Sequence, residues 1–550
     1  MTDIRLTFKV RYAEGMPARG LRVLATDQAA DGLKPYDLGV TDGNGRIDKT
    51  LRLRKRQRVD SRLVDNLRGR PVFDITVSDR AGNSVTRRKT PIVLPAEFSP
   101  SAIAARLLTA WDANAPGQVL LIRRNNEDWV DATRGAASIG SIRALDRPMT
   151  RDTIMHLASM TKPVTATAVA AMIDDWKALH SAVHSPNGDL YRVRIGTRSV
   201  EVPACLAALF SDRQQAALFV DGPWPTTVPS EFVTALRLFV QGPLTVRSAP
   251  EAPPGYYGLL KRVLRDDPVP DFDSKFLPLI RERLGDSPIG GGVDQITITN
   301  LMRHFTGLVG KPTANLHTQA ELQAIQDTQP LGGAATFPLW PWMRLVLGET
   351  VPAATRVYTN NNYIVLTAVI EACTETTYAD YSIRRLFADP RFSTIRRNVA
   401  DSLRSAKYYS GARLNFTGGW YLSDYTAFPG HGGLYVTAPQ FLDWLHALYT
   451  KEPVTVPGGI APLLSDSSHR ELLEGARYAF VGTGPVFHPE EPKHRFEVAG
   501  GTNVNGAAVN GKFAIIPADS GALFTVFYCA NGSLDAAGPF NALRDKLTWA

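Results

Sequence analysis

The sequence predicts an α/β chain of the α+β type, in which an all-β domain precedes a larger domain that mixes helices and strands. At 550 residues the chain is too long for one ordinary domain. Several short runs within its first 95 residues alternate apolar and polar positions with a period of two, as half-buried strands do. After residue 100 this period gives way to longer apolar runs, which indicate buried helices.

The N-terminal segment carries repeated strand signals. Residues 4–12 (IRLTFKVRY) alternate, GLRVLATD and RPVFDITVSD repeat the pattern, and DGNG at 42–45 is a strong turn signal. The run GLRVLATD followed by LGVTDGNGRIDKTLRL resembles transthyretin-like β-sandwiches. We therefore predict an accessory β-sandwich, transthyretin-like or Ig-like, over 1–98, with PAEFSP as the linker to the next domain.

Composition excludes several classes of protein. Hydrophobic residues make up 44% and charged residues 21%, which is ordinary for a globular protein, and no apolar run reaches the 18 residues of a membrane span. The first residues lack the apolar stretch of an export signal, so we expect a cytoplasmic protein. Three cysteines are too few for a disulfide framework.

The net charge is confined to the N-terminal segment. Residues 1–99 hold 20 Lys and Arg against 12 Asp and Glu, which equals the whole formal charge of +8. No aromatic platform or nucleic-acid-binding motif accompanies these charges. We interpret them as a solvated basic face and predict neither a nucleic-acid nor a membrane partner. Assembly into an oligomer through this domain is a further hypothesis.

An S-x-x-K motif at Ser159–Lys162 carries the chemistry. It lies in HLASMTKPVTATAVAAMIDDW, whose small and apolar residues predict a helix buried on most sides. Positions i and i+3 share a helix face, so the Ser159 hydroxyl and the Lys162 amine come within hydrogen-bond reach. A serine hydroxyl is a weak nucleophile until a base takes its proton, and a lysine is such a base only when burial lowers its pKa.

Four segments in order resemble the serine β-lactamase and penicillin-binding-protein superfamily, in its class C-like branch with family VIII carboxylesterases and D-aminopeptidases. They are PMTRDTIMHLASMTKPVTATAV (148–169), ITITNLMRHFTGLVG (296–310), RVYTNNNYIVLTAVIEACTETTYADY (356–381) and GHGGLYVTAPQFLDWL (430–445). The resemblance implies a β-lactamase-like domain over 101–550, an antiparallel sheet flanked by helices with a helical subdomain. Strands from both ends of this segment would share the sheet. The Pro- and Gly-rich stretch at about 180–265 is predicted to be an insertion, a lid or a pocket wall.

The resemblance also implies roles in the second motif, Y-x-N. Tyr358 would exchange protons with Ser159 and the leaving group, its pKa lowered by its neighbours so that it acts as a base. Asn360 would hydrogen-bond the Lys162 amine and the acyl side of the substrate.

The third motif departs from the family pattern. The candidate strand FEVAGGTNVNG (496–506) has Ala499 where relatives carry a cationic or aromatic residue, followed by Gly500 and Gly501, which suit close approach to a substrate. The backbone N–H of Thr502, with that of the nucleophile, would form the oxyanion hole. Without a cation at Ala499, recognition of a substrate carboxylate is disfavoured.

Two histidines lie in the resembling segments. His431 in GHGG is a candidate for the pocket, either as a base or as a histidine that packs beside the site, and His304 is expected to have a structural role. No H-E-x-x-H, P-loop or dinucleotide fingerprint is present, so we predict no metal and no cofactor.

These observations predict a serine hydrolase that forms an acyl-enzyme on Ser159, with a small-molecule or short-peptide acyl substrate. A carboxylesterase fits best. The alternatives are a D-stereospecific peptidase or amidase and a transacylase. A β-lactamase or D,D-carboxypeptidase is less favoured, and so is a non-catalytic penicillin-binding-like sensor, since Ser159, Lys162 and Tyr358 are all present.

Overall fold

The protein is described here by a computed structural model. The described residues are 3–12, 17, 20–27, 36–52, 64–65, 70–71, 73–78, 84–87, 92–94, 117–138, 146–184, 190–195, 197–242, 246, 249–309, 337–352, 356–392, 404–409, 430–473, 496–504, 507–517 and 522–532.

The N-terminal residues form short strands, as the period-two pattern predicts. They are β1 (Asp3–Tyr12), β2 (Arg22–Asp27), β3 (Tyr36–Val40), β4 (Arg46–Arg52), β5 (Val64–Asp65), β6 (Arg70–Pro71), β7 (Phe73–Ser78), β8 (Ser84–Arg87) and β9 (Ile92–Leu94). Their sheets have the orders β4-β1-β9, β3-β2-β7-β8 and β5-β6. The DGNG turn joins β3 to β4, where the Asp42 carboxylate accepts from the backbone N–H groups of Asn44 and Arg46. A sandwich domain over 1–98 stays a prediction.

The strands after residue 100 form one five-stranded sheet and several two-stranded sheets. They are β10 (Gln118–Arg124), β11 (Glu127–Arg134), β12 (Ala136–Ser138), β13 (Arg147–Pro148), β14 (Met155–His156), β15 (Leu190–Ile195), β16 (Arg198–Pro203), β17 (Tyr435–Val436), β18 (Val454–Val456), β19 (Gly459–Ala461), β20 (Phe496–Val504), β21 (Ala507–Pro517) and β22 (Leu523–Ala530). The main sheet is antiparallel, with the order β11-β10-β22-β21-β20. The predicted sharing of one sheet by both ends is therefore confirmed, and β20 lies at its edge.

The β10–β11 hairpin follows from its turn residues. Asn125 and Asn126 adopt φ of 50° and 66°, which asparagine tolerates better than most residues and which a two-residue hairpin turn requires. The Asn125 side chain also accepts from the Leu523 N–H and so anchors the hairpin to β22.

Helices cover the sheet and form the subdomain. They are α1 (Lys162–His184), α2 (Ala204–Ala207), α3 (Arg213–Ala217), α4 (Ser230–Gln241), α5 (Tyr256–Leu264), α6 (Leu277–Leu284), α7 (Ile298–Met302), α8 (Leu339–Gly348), α9 (Asn361–Thr374), α10 (Tyr378–Leu386), α11 (Ala438–Thr450) and α12 (Asp466–Leu473). Across the described ranges, each helix is too short or too polar to cross a lipid bilayer.

Helix α1 is the centre of the helical part. Fifteen of its residues are buried, and α5 and α9 both pack against it. Burial on most sides is what its small and apolar composition predicts. The stretch at 180–265, predicted to be an insertion, contains regular elements: the β15–β16 hairpin and α4, whose Phe232, Leu236 and Phe239 form one buried face.

Candidate active site

The Ser159 hydroxyl and the Lys162 amine lie together at the start of α1. Ser159 belongs to a 3₁₀ turn over Ala158–Thr161, and Lys162 is the first residue of α1. In a 3₁₀ turn residues i and i+3 are eclipsed, so the two side chains point the same way. Lys162 Nζ donates to Ser159 Oγ at 2.9 Å. The pairing expected from the S-x-x-K spacing is thus made by a 3₁₀ turn, not by an α-helical one.

The turn that carries Ser159 is held in an unusual backbone conformation. Ala158 has a φ of 47°, in the left-handed region that a residue with a Cβ rarely adopts. Three hydrogen bonds fix it: Ala158 N–H donates to His156 Nδ1 at 3.1 Å, Leu157 N–H to Leu434 O at 2.9 Å, and Met160 N–H to Leu157 O at 3.0 Å. Strain of this kind persists where neighbouring contacts over-determine the geometry, as they do at many active sites.

Lys162 is a buried amine whose pKa is lowered. Its side chain is 4% exposed, and burial lowers its pKa from 10.5 to about 7. Among the described residues no carboxylate forms an ion pair with it. Its Nζ also donates to the backbone carbonyl of His431 at 3.1 Å and lies 4.9 Å from the centre of the Tyr358 ring. Near neutral pH the amine is therefore neutral in a large fraction of molecules.

Tyr358 completes a hydrogen-bonded group of three. Its hydroxyl lies 2.8 Å from Ser159 Oγ, and the side chain is 42% exposed, so it faces the open side of the site. Burial of the hydroxyl raises its pKa, an effect that the hydrogen bond with Ser159 only partly opposes. The expectation of a lowered pKa is wrong. Tyr358 stays protonated at neutral pH, and either hydroxyl can donate the hydrogen bond that it shares with Ser159.

The His304 ring packs against the ring of Tyr358. Its ring centre lies 4.5 Å from that of Tyr358, and its Nδ1 contacts Asn362 Nδ2 at 3.0 Å and Thr359 N–H at 3.4 Å. Burial, and then the positive charges of Lys162 and Arg356, lower its pKa to about 3. The imidazole is therefore neutral and serves as a packing surface and hydrogen-bond acceptor.

Asn360 and His431 take positions that differ in part from those expected. Asn360 is exposed at the start of α9, and within the described residues its side chain makes no hydrogen bond to Lys162. The backbone carbonyl of His431 holds the amine instead. His431 itself is 8% exposed, and a backbone atom provides its contact with the catalytic group.

Gly500 brings strand β20 against the nucleophile turn. A Cβ at Gly500 would lie 2.6 Å from Leu157 O and 2.8 Å from Met160 N, closer than real Cβ atoms come. Gly500 pairs with Gly511 on β21, where a Cβ would lie 2.4 Å from Met160 Cε. This glycine pair makes room for the Met160 side chain beneath Ser159. Gly511 was not predicted, because it lies outside the motif.

The pairing of β20 determines which of its backbone N–H groups face away from β21, and Thr502, expected to supply an oxyanion amide, is not one of them. Ala508 N–H donates to Tyr409 O, on the side of β21 that faces away from β20. Successive residues of a strand direct their backbone groups to opposite sides, so Val509 directs its N–H and C=O towards Thr502 on β20. The Thr502 N–H is thus used in the ladder. Since N–H directions alternate along an antiparallel strand, the Gly501 N–H points to the outer edge of β20, which pairs with no other strand in the described part of the chain.

The family comparison agrees with the ordered motifs. Residues 103–502 match a family model described as Beta-lactamase. The chain belongs to the Beta-lactamase family. The matched span contains the Ser159, Lys162 and Tyr358 group. Membership in the Beta-lactamase family supports a serine hydrolase in general terms.

Several solved structures are similar to most of the chain at low sequence identity. The hydrolase EstCE1, described as having promiscuous acyltransferase activity, is 15% identical with a TM-score of 0.44, over 82% of this chain and 99% of that one. The D-amino acid amidase from Ochrobactrum anthropi SV3 is 13% identical with a TM-score of 0.43, over 82% and 96%. A class C beta lactamase from Rhodobacter sphaeroides is 16% identical with a TM-score of 0.40, over 82% and 97%. No curated protein matches.

Proposed function

We propose that this chain is a carboxylesterase-type serine hydrolase that forms a covalent acyl-enzyme on Ser159. The observation that carries the proposal is a single hydroxyl hydrogen-bonded to both a buried amine and a phenol, at 2.9 and 2.8 Å. An activated nucleophile needs a base within this reach and a second group that can return the proton.

The proton path follows from the pKa of Lys162. With a pKa of about 7, half of the amines are neutral at pH 7. An ordinary lysine of pKa about 10.4 would be neutral in roughly one molecule in 2,500. As Ser159 Oγ bonds to the substrate carbonyl carbon, its proton passes to Lys162 Nζ. The leaving alkoxide then departs with a proton supplied through the Tyr358 hydroxyl, which Lys162 reprotonates. Attack by water on the acyl-enzyme releases the acid and restores Ser159.

Two amides would stabilise the oxyanion. The first N–H groups of a helix have no intrahelical acceptor, and Ser159 lies in the 3₁₀ turn that leads into α1. Gly501 offers the second N–H from the free edge of β20, next to the close contact that Gly500 makes with the turn. Preorganised donors of this kind are often the largest catalytic contribution.

The residues at and opposite Ala499 favour an uncharged acyl group. Cβ atoms at Gly500 and Gly511 would meet the Ser159 turn, so the neighbouring residues Ala499 and Lys512, which lie opposite each other in the register, point to the other face of the sheet. The Lys512 ammonium lies 3.1 Å from the Glu497 carboxylate on that face. Neither Ala499 nor Lys512 therefore places a cation beside Ser159, and β-lactam and peptidoglycan substrates, which carry a carboxylate, fit less well than simple esters.

A substrate panel tests the proposal. Wild type and Ser159→Ala would be compared on short p-nitrophenyl esters, D-amino acid amides and a chromogenic cephalosporin. We expect the esters to be hydrolysed fastest and the Ser159→Ala rate to fall by at least about a thousandfold. Faster turnover of the amides or the cephalosporin would replace the carboxylesterase with that alternative. Equal ester rates in the two proteins would remove Ser159 from the mechanism.

A further inference from the structure

Two histidines and an aspartate meet at the far end of α1. His180 and His184 are four residues apart on one face of α1, with ring centres 4.4 Å apart. Asp266 follows the end of α5, and one ligand atom from each of the three residues lies within 4.8 Å of the others. We propose that these three side chains form a binding site for a divalent transition-metal ion of the Zn²⁺ class.

The negative charge of the Asp266 carboxylate is not balanced by a cation among the described residues. Asp266 follows α5 in a left-handed conformation with a φ of 59°, and its N–H donates to Val263 O at 3.0 Å. A carboxylate at a helix C-terminus is repelled by the partial negative charge of the helix dipole. Within the described residues it forms no ion pair, since the nearby Arg262 and Arg265 pair with other carboxylates. A metal ion would balance this charge.

His184 supplies an independent observation. Its Nε2 is a buried polar atom without a hydrogen-bond partner among the described residues. A buried polar atom left unsatisfied costs free energy, and a bond from a neutral imidazole nitrogen to a metal ion would remove that cost. The unpartnered nitrogen and the unbalanced carboxylate belong to the same cluster.

The donor set and spacing fit zinc. Two imidazoles and a carboxylate are a common Zn²⁺ set, and a water can take the fourth tetrahedral position. Metal–ligand bonds of about 2.1 Å place tetrahedral ligand atoms about 3.4 Å apart. Ligand atoms that start within 4.8 Å need to close by at most about 1.4 Å. Rotation of the exposed Asp266 side chain can supply part of this closure.

The proposed metal site lies far from Ser159, so a bound ion would affect the stability of the protein and not the reaction. His180 lies 18 residues beyond Lys162 on the same helix, which corresponds to about 27 Å. A bound ion would join α5 to the end of α1, and we expect it to raise stability without entering the ester chemistry. The prediction of no metal was based on motifs of neighbouring residues. Asp266 lies 82 positions beyond His184 in the sequence, and the packing of α5 on α1 brings it next to the two histidines.

Calorimetric titration of untagged, chelator-treated full-length protein with Zn²⁺ tests the proposal, with Co²⁺ absorbance as a report on tetrahedral geometry. We expect one saturable equivalent and a higher melting temperature with zinc. His184→Ala and the conservative Asp266→Asn should each weaken binding at least tenfold, whereas His446→Ala, a half-buried histidine on α11, should not. Ester hydrolysis should stay unchanged in all three.

Two results would overturn this site: no saturable Zn²⁺ binding by the wild type, or equal affinity in wild type and both cluster variants. Asp266→Asn changes an exposed side chain with little change in shape, so the test holds even if His184→Ala fails to fold. Either result leaves the proposed function standing, because the two sites share no residue.

Discussion

Adding one methyl group at Gly500 should slow catalysis without unfolding the protein. The new Cβ would lie 2.6 Å from Leu157 O and 2.8 Å from Met160 N, against at least 3.4 Å for an ordinary contact. The turn and the strand must separate by roughly 0.6–0.8 Å to relieve this. That displacement moves Ser159 relative to the Gly501 amide. Since misplacement by about 1 Å can cost about a hundredfold in rate, we expect kcat/KM for a p-nitrophenyl ester to fall about 10- to 100-fold in Gly500→Ala.

Gly501→Ala is the matched control. Among the described residues, a Cβ at Gly501 would meet only Val509 O, at an ordinary 3.5 Å, and the backbone N–H is retained. We expect its kcat/KM to stay within about threefold of wild type, with both variants melting as single folded species. Full activity in Gly500→Ala, or equal losses in both variants, would show that the contact of β20 with the nucleophile turn does not set the geometry.

Three further predictions concern the proton path. In wild type, kcat/KM for a neutral ester should fall tenfold per pH unit below about 7 and level off above it, because Lys162 is the base only when neutral; a plateau that continues to pH 5 would contradict this. Lys162→Met should abolish ester turnover yet raise the melting temperature. The pKa of Lys162 is lower in the folded protein than in the unfolded chain, so burying this lysine costs up to about 4 kcal/mol of stability at pH 7. This cost becomes smaller as the pH rises towards 10.5. Thermal melts of both proteins at several pH values measure the difference, and a melting temperature of Lys162→Met below that of wild type would contradict the prediction. Tyr358→Phe should lower kcat about 10²- to 10⁴-fold with little change in melting temperature, since the ring is 42% exposed; unchanged kcat would exclude the phenol from proton transfer.

Much of the fold could be predicted because its signals are local. The continuous apolar run Val119–Ile122 predicts β10 as a strand buried on both faces, and Asn125 and Asn126 predict the turn that joins it to β11. The pairing of Ser159 with Lys162 could also be predicted, since a spacing of three residues brings side chains together in either kind of helical turn.

The remaining parts of the site depend on long-range pairing that local patterns do not contain. Whether Gly501 or Thr502 presents its N–H at the sheet edge depends on register, and a slip of one residue reverses every such assignment. The contact of Lys162 with His431 uses a backbone carbonyl, which every residue type has, so no side-chain pattern could predict it. The direction of the Tyr358 pKa depends on burial, a property of the packed structure.

The most direct test of the account is to label the nucleophile and follow its pH dependence. A fluorophosphonate should modify one serine, which peptide mass spectrometry would identify as Ser159. The labelling rate should be about tenfold lower at pH 6 than at pH 8, as the fraction of neutral Lys162 requires for a pKa of about 7. A label on another serine, or equal rates at the two pH values, would contradict the claim that a buried lysine activates Ser159.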